Sequence, residues 1–158
     1  MWYLKLILVM IFVAILYQDY KNRLVYWFLY PITGILVFAI QLYYIPIELV
    51  FVNSILNIAF VTFLLGVCFI YLKTRKMSFK DSLGIGDVLF FIFISFSFAT
   101  VSFIVLFVFA LVFSLLLHIV FQKKNQFKTV PLAGYMSLFF AVVYMATFCS
   151  DSNFLYAY

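Results

Sequence analysis

The chain has 158 residues, of which 69% are hydrophobic, 23% aromatic and only 9% charged, and its ten Lys and Arg outweigh five Asp and Glu to leave a net charge of +5. A soluble domain carries roughly 25% charged residues, so this composition excludes a water-soluble globular protein and implies an all-α integral membrane protein. No aromatic-basic platform for nucleic acid is present, and the basic excess is explained by membrane orientation and by contact with anionic lipid head groups.

A helix rising 1.5 Å per residue needs about 20 residues to cross a hydrocarbon core of about 30 Å. Residues 2–18, broken only by Lys5, form the first such stretch, followed by 24–44 and 49–72. Residues 88–121 would reach about 50 Å as a single helix, which suits two spans joined by a tight turn near residues 99–102. Residues 131–149 make the last. No stretch alternates as a membrane-barrel strand does, so the prediction is six transmembrane helices in one domain, 1–158.

Loop charges agree with that count, because cytoplasmic loops collect Lys and Arg. Six spans put Lys21, Arg23, Lys73, Arg75, Lys76, Lys80, Lys123, Lys124 and Lys128 on one face, nine of the ten basic residues, and leave Lys5 opposite. Both termini are then outside. The first segment is read as retained, since its basic residues follow the apolar stretch and no small-x-small cleavage site precedes Asp19. Cys68 and Cys149 fall near opposite membrane faces, so no disulfide is expected. No metal-ligand spacing appears, and no cofactor is expected.

Three of the five acids, Asp19, Asp81 and Asp87, belong to the basic face, while Glu48 and Asp151 lie opposite. The fourth span is the informative one. From residue 88 to 99 it rises only about 18 Å, so it must recruit residues 83–87, and Asp87 is drawn into the edge of the hydrocarbon. An ionisable group there costs on the order of 1–3 kcal/mol, which makes it a functional candidate by default. The plainer alternative is a carboxylate capping its own helix. Gly84 and Gly86, two of only five glycines, point beyond capping to a backbone that bends or is closely approached.

Asp19, in "QDYKNRL", reads alone as the solvated exit of a helix. Beside Asp87 it becomes a second carboxylate at similar depth on the same face, and the first and fourth helices are expected as neighbours. Two carboxylates sharing a water and a proton form an acid/base pair, because like charges held close do not both ionise. His118 reads more simply as a packed or interfacial side chain than as a proton relay. Asp81 reads as a partner of Lys76 or Lys80 rather than as a catalyst.

The stretch "LGIGDVLF" resembles the GxGD motif of the type IV prepilin peptidases, membrane aspartic proteases whose relatives include the archaeal preflagellin peptidases. In that family one catalytic aspartate ends the first helix of a six-helix core and the second is the Asp of GxGD, positions that Asp19 and Asp87 occupy here. "KTVPLAGYMSL" is similar to the proline-containing start of the family's last helix. The chain departs from the family after the first aspartate, where "DYKNRLVYWFL" stands in place of an Ile-Pro-Asn segment, and it lacks the Cys-rich methyltransferase domain of long members. The resemblance implies a cofactor-free peptidase in the cytoplasmic membrane of a bacterium or archaeon. Its substrate would be a type IV prepilin or pilin-like (competence pseudopilin) precursor, cut without methylation to remove a short basic leader.

Two rivals remain at this level. A presenilin-like protease also uses GxGD, but pairs it with Tyr-Asp, whereas here Tyr20 follows Asp19. A small proton- or cation-coupled transporter or assembly factor would be expected to carry a mid-membrane acid or an inverted repeat, and the sequence has neither.

Overall fold

A computed structural model describes residues 2–75, 84–121, 131–148 and 153–156. The described residues form helices and connecting turns, with no strand among them. The helices are α1 (Trp2–Asn22), α2 (Leu29–Tyr44), α3 (Ile47–Thr74), α4 (Ile85–Ile94), α5 (Thr100–Phe121), α6 (Leu132–Ala146) and the single turn α7 (Asn153–Tyr156). Asp81, Lys76, Lys80, Lys123, Lys124, Lys128, Cys149 and Asp151 lie outside the described residues.

Three helices, α1, α3 and α5, are long and apolar enough to cross a membrane. The expectation of six spans of crossing length is not met. The helices α2, α4 and α6 are apolar but have only 16, 10 and 15 residues, or about 24, 15 and 22 Å of rise.

Each long helix buries a narrow stripe and leaves an apolar surface on the other side. On α1 the buried residues are Lys5, Leu8, Phe12, Ile15 and Asp19, alternating steps of three and four that keep one face in line. The same spacing recurs on α5 at Phe103, Phe107, Ala110 and Ser114 and on α3 at Val50, Ser54, Asn57 and Val61. Outward, α3 and α5 expose Ile55, Phe63, Phe109 and Val120. Helices apolar on both faces are stable only where the surroundings are apolar too.

The hub is α6, which packs on α1, α4 and α5. Its buried face carries Ala133, Gly134, Ser137 and Ala141, small residues that let a neighbouring backbone come close. The Ser137 hydroxyl donates to the Phe12 carbonyl of α1 at 3.1 Å and to the Gly134 carbonyl at 2.7 Å. The rings of Phe12, Phe90, Phe98, Phe140 and Tyr144 fill the interior between α1, α4 and α6, with centroid separations of 5.3–6.5 Å.

The break between α4 and α5 comes earlier than residues 99–102. It occupies residues 95–99, and its carbonyls explain the position: Asn57 of α3 donates through Nδ2 to Ser95 O (2.9 Å) and Phe98 O (3.0 Å). Ser95 turns its hydroxyl onto Phe91 O at 2.7 Å, and Ala99 N–H donates to Leu155 O. A serine that bonds back to its own helix competes with helix continuation. A side chain from α3 then satisfies the carbonyls left over, which are costly to bury unpaired.

Candidate active site

The first turn of α6 begins with an unfilled need. Its N-cap residue, Pro131, offers no side-chain acceptor, so the leading N–H groups of the helix have no local partner. Two carboxylates from other helices supply them. Gly134 N–H donates to Asp19 Oδ2 at 2.6 Å, across 115 residues of sequence, and Ala133 N–H donates to Asp87 Oδ1 at 2.8 Å. Consecutive amide nitrogens in a helix are on the order of 3 Å apart, so the carboxyl groups of Asp19 and Asp87 converge on one helix end.

Asp19 reaches this point as the last member of the α1 stripe, 8% exposed and one turn beyond Ile15. Asp87 comes from the first turn of α4. Its Oδ2 accepts the Gly84 N–H at 3.2 Å, so the plain capping role is fulfilled at its own helix while the other oxygen caps α6. Asp87 is only half-buried and Gly84 beside it is exposed, so the site opens on the α4 side. The two carboxylates interact electrostatically. Both also lie at the positive end of the α6 dipole, where an anion gains about 0.3–1 kcal/mol.

A cation faces the pair. Arg23 sits just past the end of α1 with a φ of +54°, and its N–H donates to the Asp19 carbonyl at 3.2 Å, the bond that closes a helix in the left-handed cap geometry. A non-glycine residue in that region costs on the order of 1 kcal/mol. The turn aims the guanidinium, shielded from solvent, to where it attracts Asp19 and Asp87 together.

The glycines divide by what they admit. None of the five has a positive φ, so the expectation of a bent backbone at Gly84 and Gly86 gives way to that of close approach. A Cβ on Gly134 would lie 2.9 Å from Asp19 Oδ2 and 3.0 Å from Asp19 Cβ, and one on Gly86 would lie 2.6 Å from the Tyr30 hydroxyl. On Gly84 it would meet Asp87 Oδ2 at 3.1 Å.

The expected adjacency of the first and fourth helices is indirect. α1 packs on α6 and α2, α4 packs on α2 and α6, and the two touch through the ring of Phe12 edge-on to Phe90 at 6.3 Å. The shared helix, α6, is what brings the acids together. Sequence reasoning missed its amides and Gly134, and it missed Arg23 and Tyr30. The signal available for Gly134 was a glycine three residues after a proline at the start of an apolar helix.

His118 lies in the last turn of α5 with Nδ1 buried and unpartnered. Cys68 is a free, half-buried thiol on α3. Among the described residues no group of three or more His, Cys, Asp or Glu could hold a metal ion. Comparison with family models, with curated proteins and with solved structures gives no match for this chain. Any functional reading therefore rests on the residues and their geometry.

Proposed function

We propose that this chain is a membrane aspartic endopeptidase of the prepilin-peptidase type. Asp19 and Asp87 are its acid/base pair, and it removes the short basic leader of a type IV prepilin or pilin-like precursor at the cytoplasmic membrane face. The observation that carries this reading is the meeting of the two carboxylates on consecutive N–H groups of α6. One carboxylate takes a proton from water as the resulting hydroxide adds to the scissile carbonyl. The other, protonated, gives its proton to the departing amine. The chemistry needs two carboxyl groups and a water.

On this reading α2, α4 and α6 complete the crossings made by α1, α3 and α5, with flanking residues and local thinning of the bilayer compensating for their length. Both termini are then outside, and Lys21, Arg23, Lys73 and Arg75 share the cytoplasmic side with the acids. A substrate with a basic leader and a hydrophobic segment presents its junction at the depth where Asp87 opens.

Hydrogen bonding favours one other role for the pair, purely structural capping of α6, and the test separates the two. An asparagine in place of Asp19 keeps an oxygen that accepts the Gly134 N–H, and one in place of Asp87 keeps an oxygen for the Ala133 N–H while giving up the longer bond from Gly84. Neither can act as acid or base. Asp19→Asn and Asp87→Asn should each abolish leader removal from a co-expressed pilin-like protein, read as a gel mobility shift, with membrane insertion intact. Asp81→Asn should process normally. Full processing by either Asp19→Asn or Asp87→Asn would reduce the pair to caps.

A further inference from the structure

The acids do not stand over an inert floor. Tyr30, in the first turns of α2, is 2% exposed, and its ring sits edge-on to Phe90 at 6.5 Å. Phe90 lies one turn beyond Asp87 on α4, and its other neighbour, Phe12, lies two turns before Asp19 on α1. The phenol packs on α4, and α2, which carries it, packs on both helices that bear the carboxylates. Its hydroxyl touches the backbone of Gly86, the residue before Asp87, so closely that a Cβ there would come to 2.6 Å from the oxygen and 3.6 Å from Cζ. Asp19 and Asp87 are both close enough to act electrostatically on this phenol.

The Tyr30 side chain is enclosed, but its hydroxyl makes no hydrogen bond to the described residues in this structure. A polar group so enclosed usually finds a partner, and an ionised carboxylate offers about four acceptor sites. Backbone N–H groups take one on Asp19 and two on Asp87, which leaves room for a further donor. We propose that Tyr30 is a positioning residue for the aspartate pair, its O–H donating into the carboxylate cluster, and that residue 86 is glycine so that the phenol can reach it. The assignment of a role in cleavage rests on the peptidase reading. The hydroxyl-to-carboxylate contact does not.

This arrangement gives the second glycine of the GIGD stretch a definite steric partner, and that partner makes the proposal testable by a double substitution. Tyr30→Phe removes the hydroxyl and keeps the ring on Phe90. Gly86→Ala drives a methyl into the hydroxyl. With a processed pilin-like substrate in membranes, Tyr30→Phe should lower kcat by on the order of 10- to 100-fold, less than the roughly 10²- to 10³-fold lost with a donor that touches the transition state itself. KM should stay within about twofold, because the phenol acts on the acids and not on substrate binding. Gly86→Ala should show a comparable loss. The Tyr30→Phe/Gly86→Ala pair should be no faster than Tyr30→Phe, because relieving the clash does not restore the donor. Packing alone predicts the reverse: Tyr30→Phe cleaves normally and rescues Gly86→Ala. Either of those results overturns the proposal.

A second measurement is independent of turnover. In protein labelled with 13Cζ-tyrosine, the resonance assigned to Tyr30 by its disappearance in Tyr30→Phe should move in Asp19→Asn or Asp87→Asn. A resonance unmoved by both overturns the contact. If it moves while the wild-type chain processes no substrate, the contact stands and the peptidase reading fails.

Discussion

Helix α1 carries a buried charge at each end of one stripe, and the two are housed in opposite ways. Lys5 is 5% exposed. Its ammonium lies 5.6 Å from the centroid of Tyr44 and 5.9 Å from that of Phe148, and it donates to the Thr147 carbonyl at 3.4 Å. Tyr44 is itself stacked on Tyr156 at 4.3 Å. Fourteen residues on, about 21 Å along the helix, Asp19 lies against Gly134 and its amide, with a second carboxylate and a guanidinium close enough to act on it. The Lys5 end is closed by rings. The Asp19 end holds like charges together and opens through the half-buried Asp87.

Burial of a charge therefore does not by itself mark a site. An ammonium over aromatic faces is compensated in place, and among the described residues no second ionisable group is shown converging on it as Asp87 converges on Asp19. Two carboxylates on adjacent N–H groups repel each other, and they stay together because an uncapped helix end, a guanidinium and three glycines leave them room and partners. The comparison predicts that perturbing the Asp19 end alters function and that perturbing the Lys5 end alters at most stability.

Loss of either carboxylate tests this most severely, and Gly134→Ala is next in size. Its methyl would come within 3.0 Å of both Oδ2 and Cβ of Asp19, where neither the α6 backbone nor the stem of Asp19 can easily yield. Overpacking of this kind costs about 1–3 kcal/mol. The expected outcome is a lower thermal midpoint together with loss of leader removal, since Asp19 cannot keep its bond to the residue 134 amide. Normal stability with normal cleavage would show that the close approach of α1 and α6 is not what holds the acid.

Some of this was legible in the sequence. Asp19 could be matched to Asp87 by depth and face. Its place on the packed stripe of α1, where the sequence alone suggested a solvated exit, was not legible, because α1 is apolar on nearly every side and only burial singles out Lys5, Leu8, Phe12, Ile15 and Asp19. Asp87 announced itself as the acid of a helix with too few apolar residues. The amides that receive the acids did not, because Gly134 and Asp19 are 115 residues apart and no local pattern records their contact. Tyr30 sits in "FLYPITG" as one of twelve tyrosines, and only packing against Gly86 distinguishes it. The break after Ile94 was misjudged for the same reason, since the donor that ends α4 is Asn57, 38 residues earlier.

At the Lys5 end the expected effects are smaller. Lys5→Met keeps most of the side-chain length and replaces the ammonium with a thioether that also favours ring contacts. Removing an ammonium held over ring faces forfeits a cation–π attraction of about 0.5–2 kcal/mol, part of which the thioether's own ring contacts return. The thermal midpoint should shift by no more than a few degrees, about 1 kcal/mol, and leader removal should proceed at the wild-type rate. Loss of cleavage in Lys5→Met, with the protein still folded in the membrane, would break the contrast between the two ends.

The smallest expected effect calibrates the others. Gly66→Ala makes the same chemical change as Gly134→Ala, one added methyl, but in α3, where nothing lies within 4 Å of the new carbon. Residue 66 is exposed in the middle of a 28-residue helix, so the methyl meets no neighbour and the substitution acts on the chain's own preferences. Alanine has fewer conformations than glycine to lose on folding and forms helix more readily, a gain of about 0.4–1 kcal/mol at a compatible site. Gly66→Ala should leave leader removal untouched and raise the thermal midpoint by a degree or more. A fall in stability or in cleavage would mean that this face of α3 is covered by a close-packed partner, and that the effect of Gly134→Ala could not be assigned to its contact with Asp19 alone.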